Sequence, residues 1–308
     1  MKIWVTGATG SLGSEILNEA KISFPNSEIF FKNSKELDLL NPSAVIEYVE
    51  KVKPTHVVHL AAKVFGIGGH KENPNLCYSI NSRIDANLFQ ALNLYPPEWI
   101  FYSSTVAAYG YPYTNLPLKE EHLLNGKPHS SELGYSLAKR EALKLLEQIY
   151  KKHYTNFTYG CLTNLYGSED RNIDGKGHVI VSLIERARLA AKNDQKLKVW
   201  GTRKASRDFL NTKDAARIIF ELLGTNTGVI NIATGQEIHI EYIAQVLCES
   251  LELKKGYEFT GKMEGLLNRV CSIEKLKTYS KHVQQLDATD RLRLHLLQST
   301  KNNLGSVS

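Results

Sequence analysis

Tyr135 and Lys139 stand four residues apart in Tyr135-Ser136-Leu137-Ala138-Lys139. Four residues is close to one helical turn, so on a helix both side chains point to one side. An ammonium beside a phenol lowers the phenol's pKa from its ordinary value of about 10, which makes the tyrosine a proton donor usable near neutral pH. Upstream, Phe101-Tyr102-Ser103-Ser104-Thr105 closes an apolar run and places hydroxyls at a strand end, where α/β sheets gather ligand-binding groups. A hydroxyl there can hydrogen-bond a reacting oxygen. Tyr-x-x-x-Lys alone arises by chance on many surface helices; following a glycine-rich turn and then a Ser/Thr strand end, in that order, it becomes specific.

The turn is Thr6-Gly7-Ala8-Thr9-Gly10-Ser11-Leu12-Gly13, lying between an apolar strand-length run and a helical pattern. Glycines permit a tight bend and the close approach of a pyrophosphate, whose charge the exposed N–H groups and the helix dipole stabilise. The spacing is GxxGxxG, one residue looser than the G-x-G-x-x-G fingerprint, and an ordinary strand-to-helix turn is the structural alternative. At the first strand of an alternating chain the turn reads as a dinucleotide site, with Gly7, Thr9, Gly10, Ser11, Leu12 and Gly13 at the phosphates. After the second strand, Lys32, Asn33 and Ser34 occupy the place where an acid would hold free ribose hydroxyls. A cation there suits a 2′-phosphate, so NADP(H) is the expected cofactor, although a strand-end lysine is also a common solvated residue.

These groups need a scaffold, and the hydropathy pattern supplies one. Apolar runs predict strands near 2–6, 28–32, 56–60, 98–103, 156–162 and 229–232. Between them the period predicts helices at about 11–22, 42–52, 80–94, 135–152, 178–192 and 212–223. Alternation of this kind implies an α/β fold built on a doubly wound parallel Rossmann sheet, with a smaller C-terminal α/β substrate domain. Residues 1–166 with 210–234 are expected to form the cofactor domain, 167–209 with 235–298 the substrate domain, and 299–308 a frayed tail. In the fourth helix Leu143, Leu146, Ile149 and Tyr150 form one apolar stripe that packs on the sheet or on a partner chain. The polar, glycine-containing stretch 168–177 is long enough to be a functional loop.

Composition narrows the class. The 308 residues are 42% hydrophobic, which suits a globular chain with a sizeable core rather than a disordered or stapled one. No apolar window is long enough for a membrane span and the start lacks a signal-peptide pattern, so a cytoplasmic protein is expected. Lys and Arg total 38 against 32 Asp and Glu, and the net charge of +6 is spread along the chain, which does not indicate nucleic-acid binding. The excess suits an anionic small molecule, and a solvated basic surface explains it equally well. Cys77, Cys161, Cys248 and Cys271 are too far apart for a CxxC pair and read as free, mostly buried thiols. His56 and His59 on the third strand show no ligand spacing; they read as structural, and no metal is expected.

Taken together, over roughly residues 1–280, these residues resemble the extended short-chain dehydrogenase/reductase family. The resemblance implies that the catalytic hydroxyl lies five residues before the glycine of Tyr109-Gly110, which selects Thr105. It implies that Tyr135 is the general acid, that Lys139 binds the nicotinamide ribose, and that Asp38 and Leu39 contact the adenine. Asn81 stands where members often carry a helix asparagine near the lysine. A narrower similarity, to GDP-L-fucose synthase-like nucleotide-sugar 4-ketoreductases, rests on several segments in the same order. They are Lys35-Glu36-Leu37-Asp38-Leu39-Leu40, Leu60-Ala61-Ala62-Lys63-Val64-Phe65-Gly66-Ile67, Thr163-Asn164-Leu165-Tyr166-Gly167, Gly177-His178-Val179-Ile180, and Val199-Trp200-Gly201 followed by Arg207-Asp208-Phe209-Leu210. That similarity implies cofactor contacts from Ala61, Ala62 and Lys63, and substrate contacts from Asn164, His178, Val179 and Trp200. It further implies that Arg207 binds the substrate diphosphate, helped by Lys176 and Arg269. An ion pair between Arg207 and Asp208 or another neighbour is the structural alternative.

Two departures restrict the chemistry. Fucose synthases carry a cysteine two residues after the catalytic hydroxyl, which works with a histidine to epimerise the sugar; here the histidine is His178 but the cysteine position is Ala107. Alanine cannot exchange a proton. Nucleotide-sugar 4,6-dehydratases carry Asp-Glu directly after the catalytic threonine, where this chain has Val106-Ala107. The expected activity is therefore NADPH-dependent reduction of the C4 ketone of a nucleotide-linked 4-keto-6-deoxy sugar, hexose or heptose, with GDP implied by the resemblance and a homodimer as the expected assembly. The rivals are a bifunctional epimerase/reductase making GDP-L-fucose, a C4 epimerase that retains NAD(H), and a non-catalytic NADP-binding sensor or scaffold.

Overall fold

Runs of Val, Ile, Trp and Phe that are dry on both faces become a parallel sheet, because only helices on either side can cover them. A computed structural model describes residues 1–64, 73–113, 115–167, 179–261 and 268–301. The sheet is built from β1 (Lys2–Thr6), β2 (Glu28–Phe31), β3 (His56–His59), β4 (Trp99–Thr105), β5 (Asn156–Leu162) and β10 (Gly228–Ile232). Its order is β10-β5-β4-β3-β1-β2, parallel throughout. From β1 the chain goes to β2 on one side and then to β3 on the other, which opens a crevice at the carboxyl ends of β1 and β3.

Alternate strand residues face opposite layers. Trp4, Val57, Ile100 and Tyr102 join one core with α2 (Pro42–Val52), α3 (Pro74–Leu94) and α4 (Leu133–His153). Ile3, Val5, Val58 and Phe101 join the other with α1 (Ser11–Ser23) and α6 (Thr212–Glu221). The stripe Leu143, Leu146 and Ile149 packs on the sheet, whereas Tyr150 stays exposed. A third core gathers α5 (Val179–Lys192), α7 (Ile240–Ser250) and α10 (Ala288–Lys301) through Leu183, Ile243 and Leu292. Around it lie two-stranded pairs: β7 (Leu197–Val199) with β12 (Tyr257–Phe259), and β8 (Ser206–Arg207) with β11 (Ile238–His239). The pair β6 (Asn164–Tyr166) with β9 (Phe209–Asn211) and the short helices α8 (Glu274–Lys277) and α9 (Lys281–Gln284) complete the described chain.

All six expected strands and all six expected helices are present, β1, β5 and α2 with the expected ends and the others with shifted ones. α3 begins at Pro74 rather than near residue 80, because proline is well suited to a first helical position. The tail corrects the expectation: α10 runs to Lys301, with Thr300 buried and hydrogen-bonded to Ser250 at 2.6 Å, so residues 299–301 are packed rather than frayed. The remainder of that tail lies outside the described residues. Among the described residues no helix is long and apolar enough to cross a membrane, and no group of three His, Cys, Asp or Glu could hold a metal. All four cysteines are free, three of them buried.

Candidate active site

The glycine turn closes β1 and opens α1. Gly7 has φ +71° and lies where an added Cβ would meet the backbone N of Ala61 at 2.7 Å, so both its conformation and its space exclude a side chain. At Gly13 a Cβ would come 2.2 Å from the Gly7 carbonyl oxygen. This close approach seats the start of α1 against the turn. Gly10 caps α1 with no side-chain hydrogen bond, which leaves first-turn N–H groups for an external anion. Ser11 Oγ is buried without a hydrogen-bond partner among the described residues. A naked helix start, two glycines pressed on backbone and an orphaned hydroxyl fit the pyrophosphate of a dinucleotide.

Beyond β2 the chain turns sharply. Lys32 Nζ pairs with Glu36 at 2.9 Å, and both are exposed. Asn33 Oδ1 accepts from the backbone N–H of Lys35 and Glu36, closing that turn, while Ser34 follows exposed. The lysine expected to meet a 2′-phosphate thus has a carboxylate partner already, and the Glu36 hydrogen bond raises its pKa. Asp38 is exposed and accepts from Leu40 N–H at 2.9 Å; the Leu39 carbonyl accepts from Asn87. Ala61 donates its N–H to Thr6 Oγ1, and the backbone of Lys63 is held at both polar groups by Asn81, at 2.8 and 3.0 Å. Asn81 is fully buried, so its role in the described structure is to fix the strand-end loop that carries Ala61, Ala62 and Lys63.

Thr105 ends β4 and its Oγ accepts from Ala107 N–H at 3.1 Å, capping a short 3-10 turn of Val106, Ala107 and Ala108. The first turns of α4 are bolted to this same turn. Ser136 Oγ donates to the Ala107 carbonyl at 2.9 Å and Arg140 Nε to the Ala108 carbonyl at 2.6 Å. The other two guanidinium nitrogens of Arg140 bind the carbonyls of Gly126 and Leu123. Tyr135 and Lys139, each beside one of these anchors, are thereby held near the end of β4.

Lys139 is buried, with its Nζ 4.4 Å from the centroid of the Tyr102 ring and 5.6 Å from that of Tyr135. Burial lowers its pKa, with Asp85 pulling the other way. The expectation that Lys139 lowers the Tyr135 phenol is corrected: burial pushes that phenol well up, and Asp85, Cys77 and Glu132 add to the rise. Loss of solvation is the largest influence on this phenol. Tyr135 therefore holds its proton at neutral pH, which is the state a proton donor needs.

On β8, Arg207 is half-buried and donates to the Ser206 carbonyl at 2.7 Å. Burial, with Arg269 close by, lowers its pKa to about 10. Arg269 is buried and pairs with Glu132 at 2.6 Å, one helical turn's length of sequence before Tyr135. Its pKa is drawn down by burial but raised overall by Glu132 and Tyr113, and its Nε finds no hydrogen-bond partner among the described residues. Asp208 does not serve Arg207 as the ion-pair alternative supposed. Its carboxylate accepts from Thr234 N–H, Thr234 Oγ1 and Gly235 N–H, and burial raises its pKa to about 6. Asn164 Nδ2 donates to the Asp208 carbonyl, so that side chain tethers β6 to β9. Trp200 is 60% exposed under the guanidinium of Arg186, 4.3 Å away. Val179 opens α5; His178, Lys176 and the loop 168–177 lie outside the described residues.

Sequence reasoning did not single out Asp85, Tyr102, Glu132, Tyr113 or Arg140, and it set His59 aside as structural. Only Arg140 carried a signal, being one residue past Lys139.

The model of the NAD dependent epimerase/dehydratase family matches residues 3–233. The chain belongs to that family. It is 31% identical over 284 residues to a GDP-L-fucose synthase of Dictyostelium discoideum, covering 90% of this chain and 88% of the relative. A crystal structure of a GDP-L-fucose synthetase from Naegleria fowleri bound to NADP superposes with a TM-score of 0.85 at 24% identity, covering 99% of this chain and 95% of the other. A GDP-mannoheptose C4 reductase from Campylobacter jejuni with NADP bound gives 0.82 at 20% identity, covering 96% and 97%. At these identities the two structures establish the Rossmann-like fold that this member of the family shares.

Proposed function

We propose that this chain reduces the C4 ketone of a GDP-linked 4-keto-6-deoxy sugar, a hexose or a heptose, with NADPH. The cofactor supplies hydride when bound. Gly7, Gly10, Ser11 and Gly13 receive its pyrophosphate, Lys32 its 2′-phosphate, and Ala61, Ala62 and Lys63 line the loop beside it. Thr105 donates a hydrogen bond to the ketone oxygen and Tyr135 delivers a proton to that oxygen as it becomes a hydroxyl. Lys139 orients the nicotinamide ribose. On the substrate side, in the part built from 167–209 and 235–298, Arg207 and Arg269 take the diphosphate, which would give the Arg269 Nε its partner. The NADP named in two structural neighbours and the GDP-sugar named in all three relatives support this reading.

Ala107 is the observation that carries reduction without epimerisation. It is 3% exposed, in the turn that Thr105 caps, and its methyl group has no proton to exchange. A bifunctional reading is favoured only by the fucose synthase names. The test is turnover of freshly generated GDP-4-keto sugars with NADPH in D2O, corrected with an enzyme-free control. The product should carry no enzyme-dependent deuterium at C3 or C5. Enzyme-dependent label there would move the assignment to the bifunctional epimerase/reductase.

A further inference from the structure

Beneath the candidate site lies a buried polar chain that the reduction has not yet used. Thr6, the last residue of β1, lies 2.7 Å by its Oγ1 from His59 Nδ1. His59 Nε2 lies 3.0 Å from Asp85 Oδ1 on α3, and Tyr102 donates its hydroxyl to Asp85 Oδ2 at 2.6 Å. His59 is 0% exposed and Asp85 3%. Burial favours the neutral ring, and in that state Thr6 donates to Nδ1 while Nε2–H donates to Asp85. That leaves His59 neutral and acceptor-free toward the carboxylate, in keeping with burial lowering its pKa. The histidine brings no charge, so the carboxylate is left to face a buried cation. That cation is Lys139, buried with its Nζ 4.4 Å over the ring whose hydroxyl holds Asp85.

A buried ammonium without a counter-charge gives up its proton. We propose that Asp85 is the positioning residue and counter-charge of Lys139, its carboxylate fixed by His59 on one side and joined through Tyr102 on the other. The inference rests on the reading that Lys139 meets the cofactor ribose as an ammonium. The groups facing Lys139 are Tyr102 from β4, His59 from β3, Asp85 and Cys77 from α3, Tyr135 from its own helix, and Tyr159 from β5, whose hydroxyl donates to the Lys139 main-chain carbonyl. Asp85 is the only carboxylate among these six. The same chain reaches the glycine turn, since Thr6 precedes Gly7 and accepts from Ala61 N–H at 3.3 Å.

The test is NADPH affinity of the full chain, measured by the cofactor's fluorescence from pH 7 to 10 in wild type, Asp85→Asn, Asp85→Glu and Tyr102→Phe. Wild-type affinity should fall on an alkaline limb as Lys139 loses its proton. In Asp85→Asn the midpoint of that limb should drop by about one pH unit or more, a tenfold change in the lysine's proton equilibrium. Asp85→Glu should restore most of it, and Tyr102→Phe should lower it by less. A folded Asp85→Asn with the wild-type midpoint overturns the proposal, as does a uniform loss of affinity at every pH that Glu fails to rescue. If Asp85→Asn does not fold, Tyr102→Phe decides: a lowered midpoint supports the role and an unchanged one overturns it. Binding needs no sugar, so a chain that binds NADPH yet reduces no GDP-keto sugar would fail the substrate reading and leave this test intact.

Discussion

Lys32 and Lys139 are the same residue type at two ends of one proposed cofactor site, and their surroundings drive them in opposite directions. Lys32 follows the edge strand, is exposed, and has its proton held more firmly by the Glu36 hydrogen bond. Lys139 is buried over Tyr102 and has its proton loosened by lost solvation. Water screens the first pair, so exchanging Glu36 for a phosphate is a small rearrangement. No water screens the second, so its charge depends on fixed neighbours. The edge of the sheet can therefore recognise a cofactor adjustably, while its centre has to be built in advance.

Five substitutions sharpen this contrast. The largest effect belongs at the buried end: Tyr135→Phe should lower turnover by about two orders of magnitude or more while NADPH affinity barely changes. Steady-state kinetics beside a binding titration checks it, and a variant that keeps most of its turnover would break the assigned chemistry. Next comes the turn between the two lysines. Gly13→Ala puts a Cβ 2.2 Å from the Gly7 carbonyl, whereas Gly10→Ala meets nothing closer than 3.4 Å. Cofactor titration of the two folded variants should show a loss of about tenfold or more for the first and a smaller loss for the second. Equal losses would mean that the close approach is not what shapes the turn.

Smaller effects are expected at the exposed end. Lys32→Asp should narrow or invert the ratio of kcat/KM with NADPH to that with NADH, because a carboxylate repels the 2′-phosphate. A wild type that uses both cofactors equally removes the basis for it. Smallest of all, Glu36→Gln should raise the NADPH preference by about two- to threefold, the release of one screened partner. A large change there would show that Glu36 touches the cofactor itself rather than competing for Lys32.

The sheet and its covering helices were readable in the sequence because each strand and helix is a local pattern. Val57-Val58, Ile100-Phe101 and Val229-Ile230 are apolar runs that need covering on both faces, and Leu143, Leu146 and Ile149 repeat with the helix. The glycine turn and Tyr135–Lys139 were equally local, because a few adjacent residues carry the whole geometry. The two- and three-residue strands β6 to β9, β11 and β12 were not, since pairs this short have no period to read. Neither was the direction in which the Tyr135 pKa moves, which local spacing set downward. Its phenol responds to burial and to Asp85, fifty residues upstream, and spacing along one helix contains neither.

The succession of strands and helices along the chain, the glycine turn and the alanine at position 107 are determined by the sequence itself, because each follows from the identity of residues next to one another. What only the tertiary structure decided is the company of each charge. Thr6, His59, Asp85, Tyr102 and Lys139 come from three strands and two helices, and no spacing links them. Glu132 with Arg269 joins positions 137 residues apart. Electrostatic energies depend on distance and dielectric in three dimensions, so they exist only once folding has brought these groups together and removed the water between them.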